Sequence, residues 1–163
     1  MQTLIIGLGN PILGDDGVGW VVAERVRAVL SDPKASIANP QSIEVEFASL
    51  GGLSLMERLT DAERVILVDA IFTGTHPIGT VSRFLLDDLP DLSAGHSTSA
   101  HDTSLRNALQ VGRDMHVPLP EDENVIIVTV EAEAVYDFSQ ELSPAVAAAV
   151  PLALNEVLQL LRD

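Results

Sequence analysis

Two continuous apolar runs, VILVDAI (65–71) and NVIIVTV (124–130), constrain the fold more than any other feature of the chain. Neither alternates with polar residues, so each suits a strand buried on both faces, as in a parallel sheet covered by helices. Further strand-like runs lie at 3–8, 42–47 and 79–85, and the run around VILVDAI begins at Arg64. Helical patterns fall between them at about 16–30, 52–59, 103–115 and 143–161. This alternation predicts an α/β fold: a single three-layer α/β/α domain over residues 1–163, with a twisted, mostly parallel sheet of about five strands. A chain of this length buries on the order of 70% of the surface its unfolded form exposes, enough for one core.

Local signals refine the helices. Val18, Val22, Val26 and Val29 recur at helical spacing, and Leu105, Leu109 and Met115 are expected to face inward from the helix near Thr103. The last helix opens with Ser143 and Pro144, a cap residue followed by a ring suited to the first helical position. Its expected apolar face is Val146, Val150, Leu154, Val157 and Leu161, and Pro151 inside it predicts a bend or a break, at a cost of roughly 3 kcal/mol. Trp20 and Phe72 read as packing residues. The opening MQTLIIGLGN reads as a first strand rather than a signal peptide. No apolar run approaches the length needed to span a bilayer, so a cytoplasmic protein is the default.

The first strand runs into LIIGLGNPILGDDGVG (4–19), a glycine-rich turn ending in two adjacent carboxylates where a helix begins. A dinucleotide fingerprint fails here, because counting from Gly7 and Gly9 puts Ile12 where the third glycine belongs. Asp15 and Asp16 would also repel a pyrophosphate over that helix end. A P-loop fails for want of Gly-Lys-Ser/Thr. The string GLGNP resembles the opening of bacterial peptidyl-tRNA hydrolases, which keeps an esterase of that type as an alternative. Net charge weighs against it: 24 Asp plus Glu against 9 Lys plus Arg give −15, with no basic cluster to neutralise phosphates. Nucleic acid and anionic membranes are therefore poor partners, and a cationic or metal-bearing one is compatible. With no cysteine, disulfides, thiolate metal sites and cysteine nucleophiles are excluded. Neither G-x-S-x-G nor H-E-x-x-H occurs.

In an open parallel sheet, ligands collect at the carboxyl ends of strands. Asp15 and Asp16 follow the first strand, Asp69 interrupts VILV, and His101 precedes the helix near Thr103. Asp69 needs a cation or hydrogen bonds where it stands, and capping of nearby backbone N–H groups would also satisfy it. An imidazole at a helix N-terminus keeps a nitrogen lone pair for a metal, although a lone loop histidine is more often simply solvated. Two carboxylates and an imidazole would make an open oxygen-and-nitrogen site for Zn, Ni, Co or Fe. Asn10 is expected to hydrogen-bond within the turn, and Asp15 to cap the first helix while Asp16 faces the metal.

Taken together, GLGNPILGDDGVG, VILVDAI, SAHDTSL and the final helix ELSPAVAAAVPLAL resemble the hydrogenase maturation endopeptidases over nearly the whole chain. The resemblance implies a monomeric protease that removes the C-terminal extension from the precursor of the nickel–iron hydrogenase large subunit. Nickel arrives with that substrate, and no permanent organic cofactor is implied. By position the family's metal ligands fall on Asp16, Asp69 and His101, the last preferred over His96 for its S-x-H setting, and no catalytic group beyond these ligands is identified. A non-enzymatic nickel chaperone would use the same three ligands. Relatives commonly carry an acid ahead of a Gly-Gly pair where this chain has Leu50 before Gly51 and Gly52. The region 131–141 also lacks a glycine often seen in relatives and reads as a loop touching the substrate.

Overall fold

The computed structural model describes residues 2–35, 37–49, 51–88, 100–133 and 138–162, with the side chains of residues 100–104 outside that description. Leu50 and His96 lie outside the described residues. Five strands form one sheet in the order β2-β1-β3-β5-β4. They are β1 (Thr3–Leu8), β2 (Ile43–Ala48), β3 (Arg64–Ile71), β4 (Val81–Leu85) and β5 (Val125–Glu131). The first four in that spatial order are parallel, and β4 runs antiparallel against β5. The connection over 72–80 is too short for the crossover a parallel pairing requires, so β4 returns in the opposite sense.

Side-chain alternation along the central strands makes two cores. Ile5, Ile66, Val68, Ile126, Val128 and Val130 meet α1 (Val18–Leu30) and α4 (Pro144–Leu160) on one face. Leu4, Ile6, Leu8, Val65, Leu67, Val125 and Ile127 meet α2 (Gly52–Arg58) and α3 (Ala100–Asp114) on the other. Among the described residues no helix is long and apolar enough to cross a membrane.

Four local readings are corrected. Residues Gly14–Gly17 form a 3-10 turn in which Val18 N–H bonds back to Asp15 O, and α1 begins only at Val18. Met115 lies just past the end of α3, where the chain turns through His116 at φ 63°, so it is 73% exposed and Ala108 joins Leu105 and Leu109 in the core instead. Ser143 stands at the N-cap of α4 but its hydroxyl makes no capping bond. Pro151 neither splits nor ends α4, which continues to Leu160. The ring is on the exposed side, and the Ala147 carbonyl that it leaves without an N–H belongs to an exposed residue, within reach of water.

Where α1 crosses the sheet, backbone lies on backbone. A Cβ on Gly19 would fall on the carbonyl oxygens of Val68 and Leu8, and one on Gly7 would meet Gly19 O and the Ala23 methyl. Gly19→Ala is expected to lower the unfolding free energy by about 3 kcal/mol, since the obstructing atoms are backbone and cannot swing aside. Gly74→Ala, at φ +67° with open space around its Cβ, is expected to cost only about 1 kcal/mol of backbone strain. Urea denaturation of the two variants checks the ranking.

Candidate functional site

The carboxyl end of β1 is the starting point. Gly9 takes φ 114°, which lets its backbone press against the Asp16 carbonyl; a side chain there would collide with that oxygen. Its N–H bonds to Ala48 O at 3.1 Å, tying the turn to the end of β2. Asn10 then closes the turn twice, accepting Ile12 N–H on Oδ1 at 3.2 Å and Leu13 N–H on its own carbonyl at 3.1 Å. Asn10 N–H in turn donates to Asp16 Oδ2 at 2.8 Å. Asp16 is half-buried, one oxygen is held by that bond, and among the described residues Oδ1 accepts none.

Asp15 behaves differently from its neighbour. It is buried, and its Oδ1 accepts the Ser143 N–H at 2.6 Å, so it anchors the entry to α4 rather than capping α1. Successive residues of a 3-10 turn are about 120° apart, which separates the two carboxylates. The loop before α4 is pinned to the same turn by Gly14 N–H to Ser139 O at 2.7 Å and Ser139 N–H to Ile12 O at 2.9 Å.

Asp69 lies near the end of β3, next along from the Val68 that pairs with Gly7, and opposite Thr129 of β5. It follows Val65 and Leu67 on the α2–α3 face, is 6% exposed, and accepts Ala70 N–H on Oδ1 at 2.8 Å. The 3-10 turn bearing Asp16 touches β3, so Asp16 and Asp69 sit on adjoining elements at one edge of the sheet.

Position 101 reaches that edge through α3. Past the C-terminal end of this helix, the chain is tied to the opposite edge: Pro118 O accepts Asp61 N–H just before β3, and Arg113 bonds Asp122 just before β5. The first turn of α3 is therefore at the edge where β3 and β5 end. Residue 101 is one turn ahead of Leu105, which is buried against the sheet. The His101 side chain lies outside the described residues. Among the described residues no three His, Cys, Asp or Glu side chains are gathered around one point, the described ligand candidates being Asp16 and Asp69.

Two residues of this edge escaped the sequence reading. Glu131 is not part of a loop: it ends β5 and is 2% exposed. Its carboxylate accepts Thr73 N–H at 2.8 Å, Gly74 N–H at 2.9 Å and the Thr73 hydroxyl, fixing the chain after β3. An acid closing an apolar run is the signal that singled out Asp69, and NVIIVTVE carries it too. Thr129 was hidden as one more β-branched residue of a buried strand. None of the ion pairs among the described residues involves Asp15, Asp16 or Glu131, so this acidic edge is held by backbone N–H donors.

Comparison with known proteins adds a family. The model for hydrogenase maturation protease (HycI) matches residues 29–160, a span that takes in Asp69 and His101. Hydrogenase expression/formation protein HupD of Rhodobacter capsulatus is 26% identical over 162 residues, covering 99% of this chain and 71% of that one. The hydrogenase maturating endopeptidase HybD of E. coli has a similar structure, with TM-score 0.72 at 24% identity over 99% of this chain and 93% of the other. The NiFe hydrogenase maturation protease HybD of Thermococcus kodakarensis gives TM-score 0.70 at 22% identity, covering 98% and 99%.

The two adjacent aspartates are expected to separate in stability measurements. Asp15→Ala should cost about 2 kcal/mol, because the carboxylate it removes is itself buried and carries the short bond that holds Ser143 N–H. Asp16→Ala should cost less than about 1 kcal/mol, because Asp16 is only half-buried and water can reach the Asn10 N–H it leaves. Chemical denaturation of both variants tests this, and equal losses would contradict the division of roles.

Proposed function

The chain belongs to the hydrogenase maturation protease family, and from that premise we propose that it removes the C-terminal extension from a nickel-loaded hydrogenase large-subunit precursor, using Asp16, Asp69 and His101 to meet the nickel its substrate carries. The observation that supports this reading is the convergence at one sheet edge of the Asp16 turn, the end of β3 with Asp69, and the first turn of α3 with position 101.

The donor chemistry suits a divalent ion that keeps positions open for its own substrate ligands: carboxylate oxygens and one imidazole nitrogen. Asn10 N–H and Ala70 N–H each hold one oxygen of their carboxylate, which orients Asp16 and Asp69 before any cation arrives. Nickel bound there would supply Lewis-acid polarisation of the scissile carbonyl or of an attacking water. The acidic edge contributes attraction for a cationic guest, and a precursor without its metal would lack the group those ligands recognise.

Purified protein incubated with nickel-loaded precursor is expected to release the extension, while nickel-free precursor stays intact, as read by mass spectrometry. Asp16→Ala, Asp69→Ala and His101→Ala are each expected to slow release by about 100-fold or more, at or beyond the upper range for loss of an outer-shell metal partner. Normal cleavage by these variants would refute the ligand assignment. Uncut nickel-loaded precursor with the native chain would point to a chaperone instead.

A further inference from the structure

Thr129 presents a problem that the fold alone does not solve. It is 1% exposed, and among the described residues its Oγ1 has no hydrogen-bond partner. A buried hydroxyl without a partner is a net cost, and the adjacent positions of β5 solve the same burial with Val128 and Val130. Valine has almost the same shape as threonine and carries no such cost. Packing therefore does not account for the oxygen.

Its location supplies an account. Thr129 pairs in register with Asp69 across the parallel β3–β5 ladder. Both belong to the alternation that faces α2 and α3: Val125, Ile127 and Thr129 on one strand, Val65, Leu67 and Asp69 on the other. Neighbouring strands are about 4.8 Å apart, so a hydroxyl and a carboxylate on the same face at the same level meet through side-chain rotation alone. In this structure Oδ1 of the Asp69 carboxylate accepts Ala70 N–H, and among the described residues Thr129 Oγ1 makes no bond. An oxygen turned toward a metal would leave the carboxylate in a new orientation, where a second donor fixes it.

We infer that Thr129 is a positioning residue for Asp69: its hydroxyl donates to the carboxylate when Asp69 engages the substrate-borne cation, and stands unpaired until then. This rests on the assignment of Asp69 as a metal-facing residue. The bond holds the carboxylate at the angle that presents one oxygen to the ion, as hydrogen bonds to ligating carboxylates commonly do. The unpaired state of the free protein is part of the design, since the bond then forms only with the loaded substrate and favours that state.

The test uses full-length native protein, Thr129→Val, Thr129→Ser and Asp69→Asn, melted without metal, titrated with Ni2+ alone and assayed on nickel-loaded precursor. Thr129→Val is expected to melt about 3 °C higher, because it removes an unpaired buried oxygen. It is also expected to bind Ni2+ about tenfold more weakly and to process precursor correspondingly more slowly, with Thr129→Ser close to native in both. A residue with only a structural role would not raise stability while lowering function. If Thr129→Val matches the native protein in titration and processing while Asp69→Asn has lost both, the positioning role is wrong and the ligand assignment stands. If Asp69→Asn also keeps native behaviour, the ligand assignment itself fails. A lower melting temperature for Thr129→Val would show the hydroxyl to be bonded in the free protein and would overturn the proposal.

Discussion

The close seating of α1 on the sheet is the contact on which the rest of this edge depends. Gly7 and Gly19 bring helix backbone onto strand backbone, and Gly9 does the same for the turn that precedes it. Packed layers ordinarily keep their backbones well apart through interposed side chains, about 10 Å for one sheet on another. Removing those side chains at the first turn of α1 draws the 3-10 turn down beside the end of β3. Asp16 is therefore placed by helix–sheet spacing rather than by its own contacts, of which one backbone N–H is the main one. The same spacing leaves Val18, Val22 and Val26 to fill the core farther along the helix.

Among the described residues the carboxylates of Asp15, Asp16 and Glu131 at this edge are held without an ion pair. Asp15, Asp16, Asp69 and Glu131 each accept backbone N–H groups from Ser143, Asn10, Ala70 and the Thr73–Gly74 pair respectively. Such bonds satisfy a buried carboxylate while leaving its charge in place, whereas a lysine or arginine partner would cancel it. The edge thus keeps negative charge in a chain already at −15, an arrangement that favours a positively charged guest and disfavours polyphosphates.

Much of this was legible in the sequence because strongly periodic signals carry it. The run 64–71 became β3 with the same ends, and the other four strands lie within two residues of their expected bounds. Asp69 stood out because a carboxylate in an apolar run is costly and needs a reason. What stayed hidden depends on contacts between distant segments. The tie from Asp15 to Ser143 spans 128 positions, and nothing local distinguishes it from a helix cap. Met115 stands six residues past Leu109, off the helical repeat, and α3 has already ended there, a boundary set by the turn at His116. Pro151 carries the usual breaker signal, yet its ring is on the exposed side of a helix whose other side is buried through Val146, Ala149, Val150 and Ala153. Thr129 reads as strand filler until its register with Asp69 is known.

The neighbouring Asp15 and Asp16 join the fold to the site. One carboxylate holds the start of α4, the other accepts Asn10 N–H in the turn after β1, and a single 3-10 turn carries both. Ser139 adds a backbone bridge between the same turn and the loop leading into α4. The docking of α4 on α1 and the position of Asp16 are therefore not independent: a shift of the C-terminal helix pulls on Asp15, and through one peptide unit on Asp16. A site built this way gains its geometry from the packing of the whole α1–α4 layer, so its precision rests on some of the best-buried residues of the protein, Val22, Val26, Val146 and Ala153.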